Sequence, residues 1–162
     1  MDIKIYDDVL SAEQLSEYHQ ELGRAFYDLR DRLWYRDHFK YNEEWDQKYV
    51  DVLHSELSKR MKVPPRDRIL GAISIMSRSN ESRLPTHVDA MDEKNRSILF
   101  CVNTKWNYEW GAEVLFYEGE EARRAVSLKP GRVISYDGRI PHCYPVPDTP
   151  PNITRYLTLL NF

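Results

Sequence analysis

The stretch Ile69-Leu70-Gly71-Ala72-Ile73-Ser74-Ile75-Met76 marks the point where the chain changes from helical to strand-like patterns. It is rich in β-branched side chains, which fit the pleated surface of a sheet. Five further strand-like segments follow, separated by Gly, Pro, Asn and Asp turn residues: residues 97–102, 113–117, 125–128, 132–136 and 155–160. A succession of short strands of this kind predicts an antiparallel β-sandwich.

Upstream of this stretch the sequence has the pattern of amphipathic helices. Apolar residues recur at three- and four-residue spacing from Leu15 to Leu29, which predicts a helix over residues 11–33. Ser11 and Gln14 have the spacing of a capping box at the start of this helix. The first helix is therefore expected to be long and to lie against the sandwich.

A second helix is predicted over residues 43–61, and Pro64-Pro65 ends it. With 162 residues the chain is long enough for one domain with a substantial core. The predicted fold class is α+β. Residues 1–65 are expected to be helical support, and residues 66–162 are expected to form the β core.

Residues 34–42, between the two predicted helices, combine aromatic and charged side chains. One interpretation is a lid or a substrate-binding segment beside a cleft. The other is a loop that its aromatic residues anchor between the helices, which is a common arrangement. The sequence leaves both interpretations open.

Composition places limits on the partners of this chain. Hydrophobic residues make up 41% and charged residues 30%, which argues against a disordered chain. The net charge of −3 provides no general attraction for nucleic acid, so no nucleic-acid partner is expected. No apolar run is long enough to span a membrane, and Met1-Asp2-Ile3-Lys4 does not begin a signal peptide. Two cysteines do not make a disulfide framework, so a cytoplasmic protein with reduced thiols is expected.

Candidate metal ligands lie in the stretch Pro85-Thr86-His87-Val88-Asp89. Side chains two positions apart in an extended segment point to the same side, so His87 and Asp89 would converge on one point. A second imidazole, His142, follows the strand-like residues 132–136. Two histidines and one carboxylate, with open positions opposite, form the ligand set of non-haem Fe(II) oxygenases. The alternative is an ordinary His-Asp pair in a surface loop and an unrelated histidine in a turn.

Arg155 opens the last strand-like segment. A buried arginine at this position could bind a carboxylate through two parallel hydrogen bonds. The alternative is an arginine on the surface of an edge strand.

In this order, His87, Asp89, His142 and Arg155 resemble the His-x-Asp…His…Arg pattern of the Fe(II)/2-oxoglutarate-dependent dioxygenases. The resemblance is closest to the prolyl 4-hydroxylase-like branch and covers roughly residues 69–162. Further segments that carry it are Asn103-Thr104-Lys105-Trp106, Trp110-Gly111-Ala112-Glu113, Lys129-Pro130-Gly131-Arg132, Asp137-Gly138-Arg139-Ile140-Pro141-His142 and Thr154-Arg155-Tyr156.

The resemblance implies a double-stranded β-helix, or jelly roll, with the metal at its open mouth. It implies Fe(II) bound by His87, Asp89 and His142, with 2-oxoglutarate and O₂ as co-substrates and ascorbate as a supporting reductant. Arg155 would bind the distal carboxylate of 2-oxoglutarate. Because Asp89 fills the place that a halide would need, hydroxylation is favoured over halogenation.

Two positions depart from the pattern of the oxygen-sensing members of that branch. Ser77 and Cys101 stand where those enzymes carry tyrosines, one of which helps to hold 2-oxoglutarate. Ser77 can still form a hydrogen bond, whereas a thiol such as that of Cys101 is a weak donor. The 2-oxoglutarate pocket is therefore expected to include Ser77 and Cys101 in an altered form, with a buried core thiol as the alternative for Cys101.

The substrate implied by the resemblance is a prolyl residue in a peptide or protein. A free amino acid or another small metabolite is the next candidate. Arg96, Arg139 and Tyr144 are expected near the open mouth, where they would contact the substrate. A non-catalytic jelly-roll binding module remains as an alternative function, and the three-histidine, one-glutamate pattern of cupin metalloenzymes is missing.

Overall fold

The computed structural model describes residues 1–30, 33–79, 84–90 and 95–162. In chain order its helices and strands are β1 (Ile3–Tyr6), α1 (Ala12–Arg24), β2 (Asp28–Arg30), β3 (Leu33–Asp37), α2 (His38–Tyr41), α3 (Glu44–Ser58), β4 (Gly71–Ser77), β5 (Leu84–His87), β6 (Arg96–Cys101), β7 (Val114–Glu118), β8 (Glu121–Val126), β9 (Val133–Asp137), β10 (His142–Tyr144) and β11 (Arg155–Asn161). Short 3-10 helices span Arg66–Arg68 and Tyr108–Trp110. The six strand-like segments predicted from residue 69 onward correspond to β4, β6, β7, β8, β9 and β11.

Within the described residues, the strands form two antiparallel sheets. The larger has seven strands in the order β1-β9-β6-β11-β4-β3-β2, and the smaller has four in the order β5-β10-β7-β8. Neighbours in each sheet are often distant in sequence. Strand β11, for example, pairs with β4 on one side and with β6 on the other. This interleaving brings the two ends of the β region together in one sheet.

The seven-stranded sheet is buried on both faces. On the face that we call the inner face, Leu99 and Leu157 pack in one core with Val114 and Phe116 of the small sheet. On the opposite face, the helix face, residues such as Phe100 pack in a second core with residues of α1 and α3. A sheet covered in this way has the predicted architecture of helices buttressing a β-sandwich.

The first helix is shorter than predicted. The capping box is present: the amide of Gln14 donates to Oγ of Ser11 at 3.1 Å, and the amide of Ser11 donates to Oε1 of Gln14 at 2.9 Å. The helix nevertheless ends at Arg24, and the chain turns into the hairpin of β2 and β3. Phe26 and Leu29 continue the apolar spacing but are 77% and 58% exposed. Because these two side chains are apolar, the sequence pattern predicted a longer helix. In the structure both side chains are exposed and do not form a buried helix face.

Residues 34–42 are not the loop that one of the two interpretations predicted. They form most of β3, which pairs with β4 in the large sheet, and the short helix α2. Residues 1–65 also contribute β1, β2 and β3 to the large sheet, so this part of the chain is not helical support alone. The second helix was predicted over residues 43–61, and α3 occupies most of that range.

Both cysteines of the chain, Cys101 and Cys143, are buried and free. In the part of the chain that the structure describes, no helix has both the length and the apolar character needed to cross a membrane.

Candidate metal centre

Two histidines meet on neighbouring strands of the small sheet. His87 ends β5 and His142 begins β10, and the two residues are direct partners in the antiparallel pairing. Residues opposite each other on one face of an antiparallel pair have close side chains. The two imidazole rings accordingly lie 4.4 Å apart, measured between centroids. The sheet register therefore brings together two residues that are far apart in sequence.

The turn after β9 holds Asp89 beside the two histidines. The amides of Asp89 and Ala90 both donate to the carbonyl oxygen of Gly138, at 2.8 and 3.2 Å. A Cβ on Gly138 would lie 3.1 Å from Cβ of Ala90 and 3.2 Å from Oγ of Ser97. Contacts this short are tighter than ordinary van der Waals distances, so a side chain at position 138 would require Ala90 or Ser97 to move by a few tenths of an ångström.

The ring nitrogens of the histidines are oriented by backbone carbonyls. Nδ1 of His87 bonds to the carbonyl of Pro85 at 2.9 Å, and Nδ1 of His142 bonds to the carbonyl of Ile140 at 2.8 Å. A ring nitrogen bonded to a carbonyl carries the proton, so Nε2 of each neutral ring presents its lone pair. Both Nε2 atoms lie 3.5 Å from a carboxylate oxygen of Asp89.

These three side chains fit a divalent metal. One potential ligand atom from each lies within 4.8 Å of the others. Their donor set, two imidazole nitrogens and one carboxylate oxygen, is the set that non-haem Fe(II) sites use. The structure thus brings together His87, Asp89 and His142 as the sequence analysis expected, and their role as ligands remains a prediction.

Electrostatics at the centre favour a positive charge. Burial raises the pKa of Asp89, but the interactions with His142 and His87 outweigh burial, so the pKa of this carboxyl lies well below its usual range. Burial lowers the pKa of His87, but the contact with Asp89 outweighs it, and the net pKa is raised. Asp89 is therefore an ionised carboxylate whose side chain is only 5% exposed. A bound cation would neutralise it.

Two buried tyrosines complete the centre. The hydroxyl of Tyr136 donates to Oδ2 of Asp89 at 2.8 Å and lies 2.8 Å from the hydroxyl of Tyr144. The hydroxyl of Tyr144 lies 3.1 Å from Nε2 of His142. Burial raises the pKa of both phenols well above its usual value, so both keep their protons. Tyr144 was expected at the mouth, but it is only 1% exposed and contacts the candidate ligands directly.

Tyr136 had no predicted role. Its signal in the sequence is weak: it lies two positions after Ile134 in β9, and both residues belong to the core between the sheets. Tyr144 likewise lies two positions after His142 on the short strand β10. Period two places each of these pairs on one face of its strand. Without the sheet register, the sequence does not show that the two faces point at each other.

Arg155 lies on the same inner face, at the first position of β11. It is 2% exposed; its Nε donates to Oγ of Ser77 at 2.9 Å, and its Nη1 donates to the carbonyl of Pro145 at 2.6 Å. Ser77 is its direct partner in β4. Cys101 is the β6 partner of Leu157, two positions along β11. Burial raises the pKa of the Cys101 thiol to about 11, so it is an uncharged neighbour.

Arg96 is not at the mouth. It shares its face of β6 with Ile98 and Phe100, which belong to the core against the helices. Its Nε donates to Oγ of Ser135 at 2.7 Å, and its Nη1 pairs with Asp2 at 2.9 Å. The guanidinium therefore lies on the opposite side of the sheet from Asp89, and the structure does not bring it to the centre.

Arg139 lies in the turn before β10 and pairs with Asp137, with Nη2 of the arginine 2.6 Å from Oδ2 of the carboxylate. Its side chain is 43% exposed. It borders a surface cavity of about 460 Å³ shared with Met1 and Tyr117. The described residues of that cavity include none of the three candidate ligands, so Arg139 is not brought to the centre.

A different cavity, of about 490 Å³, adjoins the centre directly. Asp89 and Ser97 line one part of it, and Ile73 and Asn161 line its floor on the inner face of the large sheet. Arg155 and Asn161 are the first and last residues of β11. Six residue-to-residue steps separate them, about 20 Å at the usual rise. The cavity and Arg155 therefore lie toward opposite ends of the same strand.

Replacing Tyr136 with phenylalanine is expected to weaken metal binding about tenfold, because Asp89 loses the hydroxyl that orients it. The free energy of unfolding should fall by about 1 kcal/mol for the lost hydrogen bond. Calorimetric titration with Fe(II) under argon measures the first effect and urea denaturation the second. Tyr108→Phe is the matched control, since Tyr108 is 78% exposed. Unchanged metal affinity in Tyr136→Phe would remove Tyr136 from the centre.

Comparison with known proteins relates this arrangement to solved structures. No protein-family model and no curated protein matches the chain. Among solved structures, the chain is similar to a prolyl-4-hydroxylase from Pseudomonas putida, with a TM-score of 0.68 and 12% identity, over 98% of this chain and 90% of the other. It is also similar to SnoN, a non-haem α-ketoglutarate-dependent epimerase from nogalamycin biosynthesis, with a TM-score of 0.74 and 13% identity, over 98% and 76%.

A third similar structure is HygX from Streptomyces hygroscopicus, with nickel and 2-oxoglutarate bound. Its TM-score is 0.71 and its identity 11%, over 98% of this chain and 81% of the other. At such low identities these likenesses show the fold. They confirm the prediction that this chain is an α+β protein built on the double-stranded β-helix, or jelly roll.

Proposed function

We propose that the chain is an Fe(II)- and 2-oxoglutarate-dependent dioxygenase that hydroxylates its substrate. The observation that carries the proposal is the convergence of both histidine Nε2 atoms on the Asp89 carboxylate, each at 3.5 Å. Three proteins of the same fold support it. One is described as bound to nickel and 2-oxoglutarate, one as α-ketoglutarate-dependent, and one as a prolyl-4-hydroxylase.

In this proposal His87, Asp89 and His142 hold Fe(II) and leave its remaining positions open. When bound, the metal with 2-oxoglutarate and O₂ supplies the oxidising power to convert a substrate C–H into C–OH, with succinate and CO₂ released. The chain itself positions and shields these groups. The backbone carbonyls of Pro85 and Ile140 fix the two imidazoles. His142 is fully buried, so little water reaches that side of the centre.

Arg155 is proposed to bind the distal carboxylate of 2-oxoglutarate. It is nearly fully buried and lies on the inner face, where a guanidinium fork suits a carboxylate. Ser77 contacts it through Oγ and would help to fix its plane. Cys101 contributes a neutral, buried wall to this part of the pocket.

For the substrate, two candidates remain in this proposal. A prolyl residue in a peptide or protein follows from the resemblance of the motifs and from the prolyl-4-hydroxylase among the similar structures. A small molecule is favoured by a specific observation, the cavity of about 490 Å³ that adjoins Asp89. Pockets of this size accommodate small molecules.

The experiment that tests the proposed function is anaerobic addition of Fe(II) and 2-oxoglutarate, followed by the visible metal-to-ligand charge-transfer band. Appearance of the band with a stoichiometry of about one per chain would support the oxygenase assignment. A non-catalytic binding module would give no band. Aerobic incubation with ascorbate then tests whether succinate forms.

Replacing Arg155 with lysine is expected to weaken 2-oxoglutarate binding tenfold or more, about 1.4 kcal/mol, because an ammonium cannot reproduce the two-point fork. Titration of the anaerobic band with 2-oxoglutarate measures the change. Arg123→Lys serves as the control, since Arg123 is 56% exposed on β8. Equal affinities for Arg155→Lys and the parent would exclude Arg155 as the carboxylate partner.

A further inference from the structure

The cavity beside Asp89 ends at a second carboxylate. Asp37 closes β3, and its direct partner in β4 is Ile73, which lines the same cavity. Tyr35 and Ile75, a partner pair two positions away, both pack in the core between the sheets. Asp37 therefore points to the inner face, as period two requires. Asp37 and Asp89 thus lie on the wall of one cavity.

The carboxylate of Asp37 is held in a fixed orientation. Its Oδ1 accepts hydrogen bonds from the amides of Phe39 and Lys40, at 2.9 and 3.1 Å, as the N-cap of α2. Within the described residues, no donor bonds to Oδ2. One oxygen thus caps the helix and the other is available to a ligand in the cavity.

The other described residues of the cavity wall are uncharged. Phe39, Leu70 and Ile73 provide apolar surface, and Leu70 is 70% exposed at the rim. Asn161 adds an amide that can donate or accept. Among the described residues of the lining, both ionisable groups are carboxylates, Asp37 and Asp89. An anionic ligand would be repelled by Asp37, and also by Asp89 when no metal is bound there, whereas a cation on a carbon frame would find a partner and an apolar wall.

We propose that this cavity binds a small organic amine, with its ammonium group paired to Oδ2 of Asp37 and its carbon frame against Phe39 and Ile73. The amine is the substrate, and its far end faces Asp89. This assignment of the substrate class rests on the proposed function, but amine binding itself requires only the cavity. The nitrogen of a prolyl residue within a peptide carries no charge, so such a peptide would leave Asp37 unpaired.

Binding is measured first on the full chain without metal. The probes are cyclohexylamine and 2-phenylethylamine, their N-acetyl derivatives, and the carboxylates cyclohexanecarboxylate and 3-phenylpropionate, titrated by NMR. At least one amine should bind at least tenfold more tightly than its N-acetyl derivative and its carboxylate. Equal binding of the charged and acetylated forms, or no binding of either amine up to about 10 mM, would overturn the proposal.

The variant Asp37→Asn removes the charge and keeps the cap, because asparagine is as good an N-cap as aspartate. It should lose the tenfold preference for the amine. Asp51→Asn is the matched control. Asp51 lies on α3, is exposed and pairs with Arg66, so the variant removes the same charge from a surface position. An Asp37→Asn protein that keeps the full preference would also overturn the proposal. Comparing the amines with their N-acetyl derivatives and carboxylates on the parent chain tests the amine proposal without any variant.

Turnover separates this proposal from the proposed function. With Fe(II), ascorbate and 2-oxoglutarate, the amines should increase succinate formation and gain one oxygen atom, whereas a proline-containing peptide with blocked termini should not. Hydroxylation of the peptide alone would overturn the amine proposal and leave the dioxygenase proposal intact. Absence of the anaerobic charge-transfer band would count against the dioxygenase, while the metal-free titration still decides whether the cavity selects amines.

Discussion

Replacing His142 with alanine is expected to reduce affinity for Fe(II) at least ~100-fold, because loss of residues that merely support metal ligands already costs 10–100-fold. His142 is fully buried, and its Nε2 points at Asp89 from 3.5 Å. His87 and Asp89 alone would offer two ligands to a cation that prefers more. Calorimetric titration under argon measures the affinity, and the anaerobic band with 2-oxoglutarate should disappear in the same variant.

His19→Ala is the control for this experiment, since His19 is a half-buried histidine of α1 that packs against Tyr156. The control should bind metal as the parent does. His142 also packs against Tyr136 and Tyr144, so near-ultraviolet circular dichroism must confirm that His142→Ala is folded. His87→Ala removes the other candidate imidazole ligand, whose side chain is 29% exposed. Parent-like metal binding in both variants would disprove the metal centre.

The candidate centre could be predicted because its geometry is mostly local. His87 and Asp89 are two residues apart, and an extended backbone places such residues on one side. His142 required one non-local step, which the ordered motif supplied. The structure explains why His142 lies beside the other two residues: it is the direct strand partner of His87.

Arg96 shows why the direction of some side chains could not be predicted from the sequence. A strand with one solvated face shows alternation of polar and apolar residues, but a strand buried on both faces does not. The strand β6 is of the second kind, and five of its six residues are buried. The sequence therefore could not show that Arg96 faces the helices while Ser97 faces the cavity. The missed role of Tyr136 on β9 has the same cause.

The loop interpretation of residues 34–42 failed for a different reason. Arg36 and His38 have the composition of a surface loop, yet both are fully buried on the helix face. They are tolerated there because Asp46 of α3 satisfies both. Its Oδ1 accepts from Nε of Arg36 at 2.8 Å and from Nδ1 of His38 at 2.6 Å. A partner that becomes adjacent only after folding cannot be read from local composition.

The Asp46 carboxylate organises a continuous buried hydrogen-bond network. Its Oδ2 accepts from Nη2 of Arg36 at 2.6 Å and from the amide of Glu43 at 3.0 Å, so each oxygen has two donors. On the other side of His38, Nε2 lies 2.7 Å from Oγ of Ser74, which lies 2.6 Å from Oγ1 of Thr158. The order Asp-His-Ser has the spacing of a hydrolytic triad. All of its members are fully buried, so the arrangement is structural and joins α3 to β4 and β11.

Replacing Asp46 with asparagine is expected to lower the free energy of unfolding by about 3–5 kcal/mol, because the buried Arg36 loses its buried counterion and keeps only Glu43, which is 3.5 Å away and 52% exposed. Urea denaturation at pH 7 measures the loss. Asp51→Asn on the same helix is the control: Asp51 is 61% exposed and pairs with Arg66, so its removal should cost under about 1 kcal/mol. Equal losses of unfolding free energy in the two variants would show that the buried Asp46 pair stabilises the fold no more than the exposed Asp51 pair.

The pH dependence of this stability has a definite sign. Burial lowers the pKa of His38, so the folded state binds fewer protons there than the unfolded state. Stability should therefore fall as the pH drops below about 6.5.

Burial raises the pKa of Asp46, but its bonds to His38 and Arg36 outweigh burial and lower it. The stabilisation from Asp46 is thus complete above its unfolded pKa of about 4 and is lost as the pH falls through the folded value. The gap between the parent and Asp46→Asn should stay wide from pH 7 to pH 5 and narrow only in stronger acid; a gap that closes before pH 5 would contradict a carboxylate held ionised by Arg36.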